Sequence, residues 1–372
     1  MKGFTFLLFY SFTFKYFCNF AAILEEIMKM NMKKFKKKTY LIPVAVCLLG
    51  IILLGYYFFF GSFSKTDTTA YVYIDENDNI DSVCAKLKPV ASEQAVMAFS
   101  TMARHSGYAK NIRTGRYAVQ PGENAITVFR HLKNGHQEPV MLTIPESRTT
   151  DRLAGALGKK LMVDSAALAI CLNDNDFCQK WGYDTATIVC LFVPNTYEVY
   201  WNTTIEHLMD RMQKEHNHFW NDERKAKAEA IGLTPEEVCT MASIIDEETA
   251  NNAEKPMIAG MYLNRLKVGM PLQADPTVKF AMQDFALRRI YHDMLTYNSP
   301  YNTYKNVGLP PGPIKVASVA GIDAVLNRVD HDYLYMCAKE DFSGTHNFAK
   351  SYSEHLRNAA KYSKALNERG IK

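Results

Sequence analysis

The chain has 372 residues, 48% of them hydrophobic and 22% charged. That length suggests roughly two domains of about 100–200 residues each, and the composition is that of a folded globular protein. The net charge is only +4, with much of the excess in lysines near the N-terminus, so a strongly basic nucleic-acid-binding domain is excluded. Mild positive charge suits an anionic envelope polymer or a membrane surface. The eight cysteines form no C-x-x-C pair, so neither a zinc ribbon nor that redox motif is expected. Cys171 and Cys178 either close a disulfide outside the cytoplasm or act as small apolar core residues.

Residues 1–39 form an apolar, aromatic leader interrupted by Lys15, Glu25 and Glu26 and ending in a run of Lys33, Lys34, Lys36, Lys37 and Lys38. Met28, Met30 and Met32 are alternative starts, and part of this leader is read as an over-extended frame. Residues 40–61, YLIPVAVCLLGIILLGYYFFFG, carry no charge and are long enough for a single transmembrane helix, which needs about 20 apolar residues. The preceding lysines keep the N-terminus cytoplasmic, which puts everything after Gly61 outside, in the periplasm of a cell inner membrane. A cleaved signal peptide is the competing reading; the run is longer than an h-region, and GSFSKTD offers no A-x-A-like site. Tyr56, Tyr57, Phe58, Phe59 and Phe60 are expected to form an interfacial belt.

After a polar linker over 62–70, the pattern in 71–146 predicts a small α+β unit. It starts with a strand at Tyr71–Ile74. A helix through Ile80, Val83 and Leu87 follows, then a second helix over 92–106. A short strand spans Tyr117–Val119. A helix then begins at Glu123 or Asn124, has Ile126, Phe129 and Leu132 inside, and is closed by Gly135. A last strand covers Val140–Ile144. Residues 147–372 predict a larger mixed α+β domain, with helices near 150–172, 204–231 and 235–249.

The sharpest local signal is TPEEVCTMASIIDEET, residues 234–249. Thr234 with Glu237 forms a capping box, and Pro235 suits the first helical position. On the helical wheel Val238, Ala242 and Ile245 share one stripe. Glu247 lies almost opposite and is expected to be solvated, and Asp246 falls on one flank. Glu248 falls on the other flank, one turn after Ile244. A carboxyl against apolar neighbours has its pKa raised, which a general acid at neutral pH requires. Spacing alone also allows an exposed acid at a helix end.

A second helix carries Pro256 in its first turn, an apolar face through Ile258, Met261, Tyr262 and Leu266, and Gly269 as its stop. Leu272 to Thr277 reads as a polar turn. Tyr301 to Tyr304 leads into a Gly/Pro-dense loop over 308–313, whose aromatic and amide neighbours suit sugar binding or a purely structural turn. His346-Asn347-Phe348 is a further candidate. The ten histidines match no metal motif, and no phosphate loop or nucleophile elbow is present, so no metal or cofactor is expected.

ASIIDEET, IAGMYLNRLKVGMPLQADPTV, YNTYKNVGLPPGPI and HNFA, in that order, resemble the endolytic murein transglycosylase (YceG-like) family. Weaker similarity runs from about residue 70 to the end, through RTGRYAVQPGENAITVFRHLKNG and FVPNTYEVYW. The resemblance implies a LysM-like subdomain at 71–146 and a catalytic domain at 147–372. The family's E-K-E-T-like motif stands here as Asp246-Glu247-Glu248-Thr249, which makes Glu248 the catalytic residue. Asn264, Arg265, Gln273, Asp275, Thr277, Tyr301, Asn302, Thr303, Tyr304 and His346 match family positions and are carried as substrate-binding residues. The implied reaction is a lytic cut between N-acetylmuramic acid and N-acetylglucosamine that leaves a 1,6-anhydro end. The implied partners are peptidoglycan strands, the inner membrane and peptidoglycan synthases. A hydrolase using Asp275 to activate water, and a non-enzymatic glycan-binding scaffold, are the alternatives.

Overall fold

The computed structural model describes residues 38–370 except residue 288, with side chains from 43 onward. The alternative starts and the lysines up to Lys37 lie outside the described residues. Helix α1, Lys38–Phe60, contains an 18-residue window, Pro43–Phe60, of mean hydropathy 2.2 with none of it buried. It is long and apolar enough to cross a membrane. The aromatic end divides in two. Tyr56, Tyr57 and Phe60 are exposed, whereas Phe58 and Phe59 pack against a folded unit instead of joining a belt.

That small unit consists of β1 (Ala70–Ile74), α2 (Ile80–Leu87), α3 (Glu93–His105), β2 (Gly115–Val119) and α4 (Ala125–Asn134). The two strands pair antiparallel, with Ile74 opposite Gly115. Each helix starts where a polar side chain accepts orphan backbone N–H groups: Asn79, Ser92 and Asn124. Val83, Leu87, Phe99, Tyr117 and Leu132 fill the core. On α4 the inner face is Val128, Phe129 and Leu132, and Ile126 is only half-buried, contrary to its expected place inside. The stretch expected as a polar linker is pinned to this unit. Phe63 is fully buried, its N–H donates to the Glu123 carbonyl at 2.6 Å, and its carbonyl accepts from Ser92 N at 3.1 Å. Burying one such ring stabilises by about 1.5–3 kcal/mol.

The larger unit runs β3 (Val140–Thr143), α5 (Thr150–Gly158), α6 (Ser165–Leu172), α7 (Asn175–Gln179), β4 (Thr196–Val199), α8 (Ile205–Phe219), α9 (Asp222–Ala230), α10 (Pro235–Glu248), α11 (Lys255–Lys267), α12 (Asp275–Met282), α13 (Val319–Leu326), β5 (Tyr335–Ala338), β6 (His346–Ala349) and α14 (Tyr352–Glu368). Strand β3, expected to close the small unit, pairs with β4 instead, Val140 opposite Val199. Leu142 and Ile144 enter the larger core. The helices expected over 150–172 and 204–231 are each two helices, because Asp164 and Asn221 cap new N-termini inside them. The Cys171–Cys178 disulfide does not form; both are free thiols, and Cys178 is buried with its thiol 3.5 Å from the Leu172 carbonyl.

The two units meet where Asn202 Nδ2 donates to the Thr114 carbonyl at 3.1 Å and to its hydroxyl at 2.9 Å. The Tyr73 and Trp201 rings pack edge-on with centroids 5.1 Å apart. At the centre of the larger unit α10 touches α9, α11, α12 and α13. The loop after residue 308 folds over it, and Gly312 is required there: a Cβ would sit 2.2 Å from the Ala186 carbonyl oxygen.

Candidate active site

Helix α10 begins as its sequence demands. Thr234 Oγ1 accepts from Glu237 N at 3.2 Å, and Glu237 Oε2 accepts from Thr234 N at 2.8 Å. From Val238 to Ile245 every residue is buried, so this is a core helix rather than one with a single apolar stripe. The three acids that follow therefore cannot all reach water. Glu248 is its last residue, and Thr249 leaves in extended conformation.

Glu248 is half-buried and receives a 2.9 Å hydrogen bond from the Tyr262 hydroxyl on α11. Burial pushes its carboxyl up to about 7. The Tyr262 bond opposes that rise, the Asp275 carboxylate adds to it, and Lys279 and Arg265 oppose it. Tyr262 is itself raised well above the usual phenol range by burial and by the Glu248 charge, so it acts as a proton donor in the hydrogen bond. Its hydroxyl had a signal in the sequence: a tyrosine on a buried helix face needs a polar partner.

The two neighbouring acids have other work. Glu247, expected in solvent, is held by Arg148 through Nε at 3.1 Å and Nη2 at 2.7 Å, with Lys315 at 3.7 Å. The correction follows from the all-round burial of α10, which puts protein on the side opposite the stripe as well. Asp246 is only 2% exposed and accepts from Lys255 Nζ, Ser318 N and Ser318 Oγ, all at 2.7 Å. It ties α10 to α11 and to the start of α13.

Of the other positions matched by the resemblance, Asp275, Arg265 and Tyr304 lie near enough to Glu248 for their charges to interact with it, and the rest make contacts of their own. Residues 275–277, read as part of a turn, open α12 with Pro276 in its first turn. Asp275 is exposed on that turn and accepts from the Tyr304 hydroxyl at 2.6 Å. Arg265 is buried and donates to three carbonyls, Leu334 at 2.6 Å, Pro271 at 3.1 Å and Leu272 at 2.8 Å, and to Gln273 Oε1 at 3.3 Å. It thereby fixes the loop that presents Gln273, which is exposed and held at φ +52°. Thr277 and Thr303 are fully buried and share a 2.9 Å hydroxyl contact, while Thr303 also bonds Ala274 N. Asn302, buried, donates to the Leu295 and Tyr297 carbonyls at 2.9 and 2.8 Å. Asn264 donates to the His331 and Tyr333 carbonyls. Tyr301 packs on Phe280, centroids 4.7 Å apart.

His346 opens β6 and is oriented by Glu254, whose carboxylate accepts its backbone N–H at 2.6 Å and its Nδ1–H at 2.9 Å. The sequence reading missed Glu254, which is nearly buried. Among the described residues no group of His, Cys, Asp and Glu is arranged to hold a metal.

The YceG-like family model matches residues 72–361. The chain belongs to the YceG-like family. It is 29% identical over 318 residues to the endolytic murein transglycosylase of Bacillus subtilis, covering 81% of this chain and 87% of that one. With the protein of the same description from Streptococcus pneumoniae it shares 28% over 346 residues, 83% of this chain and 62% of the longer relative. The 2.6 Å crystal structure of a YceG-like protein from Listeria monocytogenes superposes with a TM-score of 0.50 at 26% identity, covering 78% of this chain and 99% of that one. In this YceG-like chain the matched span runs from within β1 through most of α14, and therefore across both folded units and the Glu248 site.

Proposed function

We propose that the chain is a membrane-anchored endolytic lytic transglycosylase of peptidoglycan, with Glu248 as general acid and then general base. The observation that carries this reading is Glu248 itself: a carboxyl at the end of a buried helix, bonded by Tyr262 and poised near neutrality. The names of the bacillary and pneumococcal relatives support the polymer as substrate.

Glu248 gives its proton to the glycosidic oxygen as the bond from muramic acid C1 to the N-acetylglucosamine oxygen breaks. The muramic acid 6-hydroxyl attacks C1, and its proton returns to Glu248. The products are a free N-acetylglucosamine 4-hydroxyl and a 1,6-anhydro end, with no water consumed. Most glycosidases need a second carboxylate for water or covalent attack; here the substrate's N-acetyl group stabilises the positive charge at C1. Gln273, Asp275 and Tyr304 stand at the site as substrate contacts. Arg265, Thr277, Asn302 and Thr303 act by positioning them, and Asn264, Tyr301 and His346 extend the surface.

The order strand, helix, helix, antiparallel strand supports the LysM-like reading of the small unit. The lysines before α1 support an orientation with the N-terminus cytoplasmic and the folded units outside. An enzyme so tethered acts on nascent strands beside peptidoglycan synthases.

The test is mass spectrometry of products from full-length protein in detergent, wild type and Glu248→Gln, incubated with uncrosslinked glycan strands. Anhydro-ended fragments from wild type alone are expected. Reducing ends would make the protein a hydrolase, the reading that the neighbouring Asp275 favours. Strands left intact by both would make it a glycan-binding scaffold.

A further inference from the structure

The two folded units are joined by a single turn, residues 200–203, closed by Thr203 N donating to the Tyr200 carbonyl at 3.1 Å. Its middle residues make the junction: Trp201 packs on Tyr73, and Asn202 bonds Thr114. Its outer residues, Tyr200 and Thr203, line a cavity of about 350 Å³ together with Pro139, Glu198 and Arg211. Tyr200 is 56% exposed there. Glu198 comes from β4 and Arg211 from α8, neither of which is among the helices α9, α11, α12 and α13 that pack on α10. The reaction at Glu248 leaves this cavity unused.

The same surface continues onto the small unit. Arg116 on β2 donates through Nη1 to the Pro139 carbonyl, and its guanidinium carbon lies 3.6 Å from the centroid of the Tyr71 ring. Strand alternation puts Tyr71 and Tyr73 on one outward face of β1, where they are 43% and 42% exposed. Tyr71 therefore reaches the cavity through Arg116 and Pro139, and Tyr73 reaches it through Trp201 and Tyr200.

Charge and hydrogen-bonding capacity define what fits. The lining holds one acid, Glu198, and one base, Arg211, and Arg211 is already paired through Nε with Glu215 at 2.8 Å. Such a cavity does not draw an anion. It offers the Glu198 carboxylate as acceptor, the Thr203 hydroxyl in either role, and the two terminal nitrogens of Arg211 as donors, which have no acceptor among the described residues. A neutral pyranose matches this set. Its C–H face lies on an aromatic ring, and its hydroxyl rim meets the carboxylate, hydroxyl and guanidinium. An apolar peptide would desolvate Glu198 and Arg211 without pairing them.

We infer that this junction surface is a second glycan site, which holds a neutral stretch of strand apart from the bond cut at Glu248. The inference rests on the peptidoglycan reading above for its ligand, and on no bond being broken.

The test is binding. Full-length Glu248→Gln protein in nanodiscs is titrated by calorimetry with a β-1,4-linked tetramer of N-acetylglucosamine, a neutral sugar without the lactyl group. Adding Tyr71→Ala and Tyr200→Ala together should weaken binding about tenfold, a difference of about 1.4 kcal/mol. Glu198→Ala, made separately, should weaken it as well. All three positions are exposed, so the thermal unfolding of each variant should match that of its parent. Equal binding of the tetramer by parent and variants would place the sugar in the Glu248 cleft and overturn the inference. Failure of the parent to bind the tetramer also overturns it. Weakened binding in the variants, combined with strands left uncut by wild type, would sink the cleavage reading and leave this site standing. Anhydro products with unchanged tetramer affinity would do the reverse.

Discussion

The Tyr262 hydroxyl lies 2.9 Å from Glu248 Oε1 and donates to it. That single bond leaves Oε2 as the oxygen that carries the transferable proton. It also stabilises the ionised form against burial, which pushes the carboxyl up to about 7. In Tyr262→Phe that opposition is gone, so Glu248 holds its proton to higher pH. A hydrogen bond to a charged group contributes about 1.5–3 kcal/mol, so the alkaline limb of the kcat/KM profile should move up by about 1–2 pH units. A profile unmoved by the substitution would show that Tyr262 does not tune the acid.

Asp275 acts in the opposite sense. Its carboxylate adds to the rise in Glu248, so Asp275→Asn should move the same limb down in pH. If Asp275 only contributes this charge and a substrate contact through the Tyr304-bonded carboxylate, anhydro product still forms at a reduced rate. Complete loss of product, with Glu248 still titrating in the variant, would give Asp275 the chemical role of the hydrolase reading.

Raising a carboxyl pKa costs stability, and the sign can be worked out. The folded value, about 7, lies above the ordinary 4.5, so the folded state binds the extra proton between those limits. The stability linked to that proton is fully present below about 4.5 and is lost as pH rises through 7. Glu248→Gln removes the titration while keeping an oxygen for Tyr262. The variant should therefore melt higher than wild type at pH 8, by on the order of 1–3 kcal/mol, with the difference vanishing near pH 4. Equal melting at both pH values would mean that burial of Glu248 is not felt by the fold.

How much of this was legible in the sequence depends on whether the signal was local. The α10 start could be read because a threonine, a proline and a glutamate at fixed spacing satisfy their own helix terminus. The nomination of Glu248 rested on family resemblance and on a wheel that assumed one buried stripe. The wheel failed for Glu247 because α10 is surrounded, and the cation that neutralises Glu247, Arg148, is 99 residues away. The paired scaffold of Thr277 and Thr303 was equally invisible, since nothing at either position announces a partner 26 residues distant. Strand β3 looked like part of the small unit because its partner β4 lies beyond three intervening helices. The apolar face of α11 was legible, but the polar tip of Tyr262 on that face was passed over.

The buried pair of Asp246 and Lys255 offers the clearest structural test. Their side chains are 2% and 6% exposed, and Asp246 also accepts both donors of Ser318 at the start of α13. Asp246→Asn leaves the Lys255 ammonium buried without a counter-charge and turns one acceptor toward the Ser318 N–H into a donor. Breaking a buried pair by removing one partner costs about 3–5 kcal/mol, whereas replacing both costs far less. Thermal unfolding should show that loss for Asp246→Asn, and a second change, Lys255→Met, should recover part of it by removing the stranded charge. Because Asp246 stands two residues before Glu248 and anchors the end of α10, glycan cleavage should fall in the single variant and return in part with the double. If the double variant were as unstable as the sum of the two single ones, the pair would not be coupled, and the junction of α10, α11 and α13 would owe its stability to packing alone.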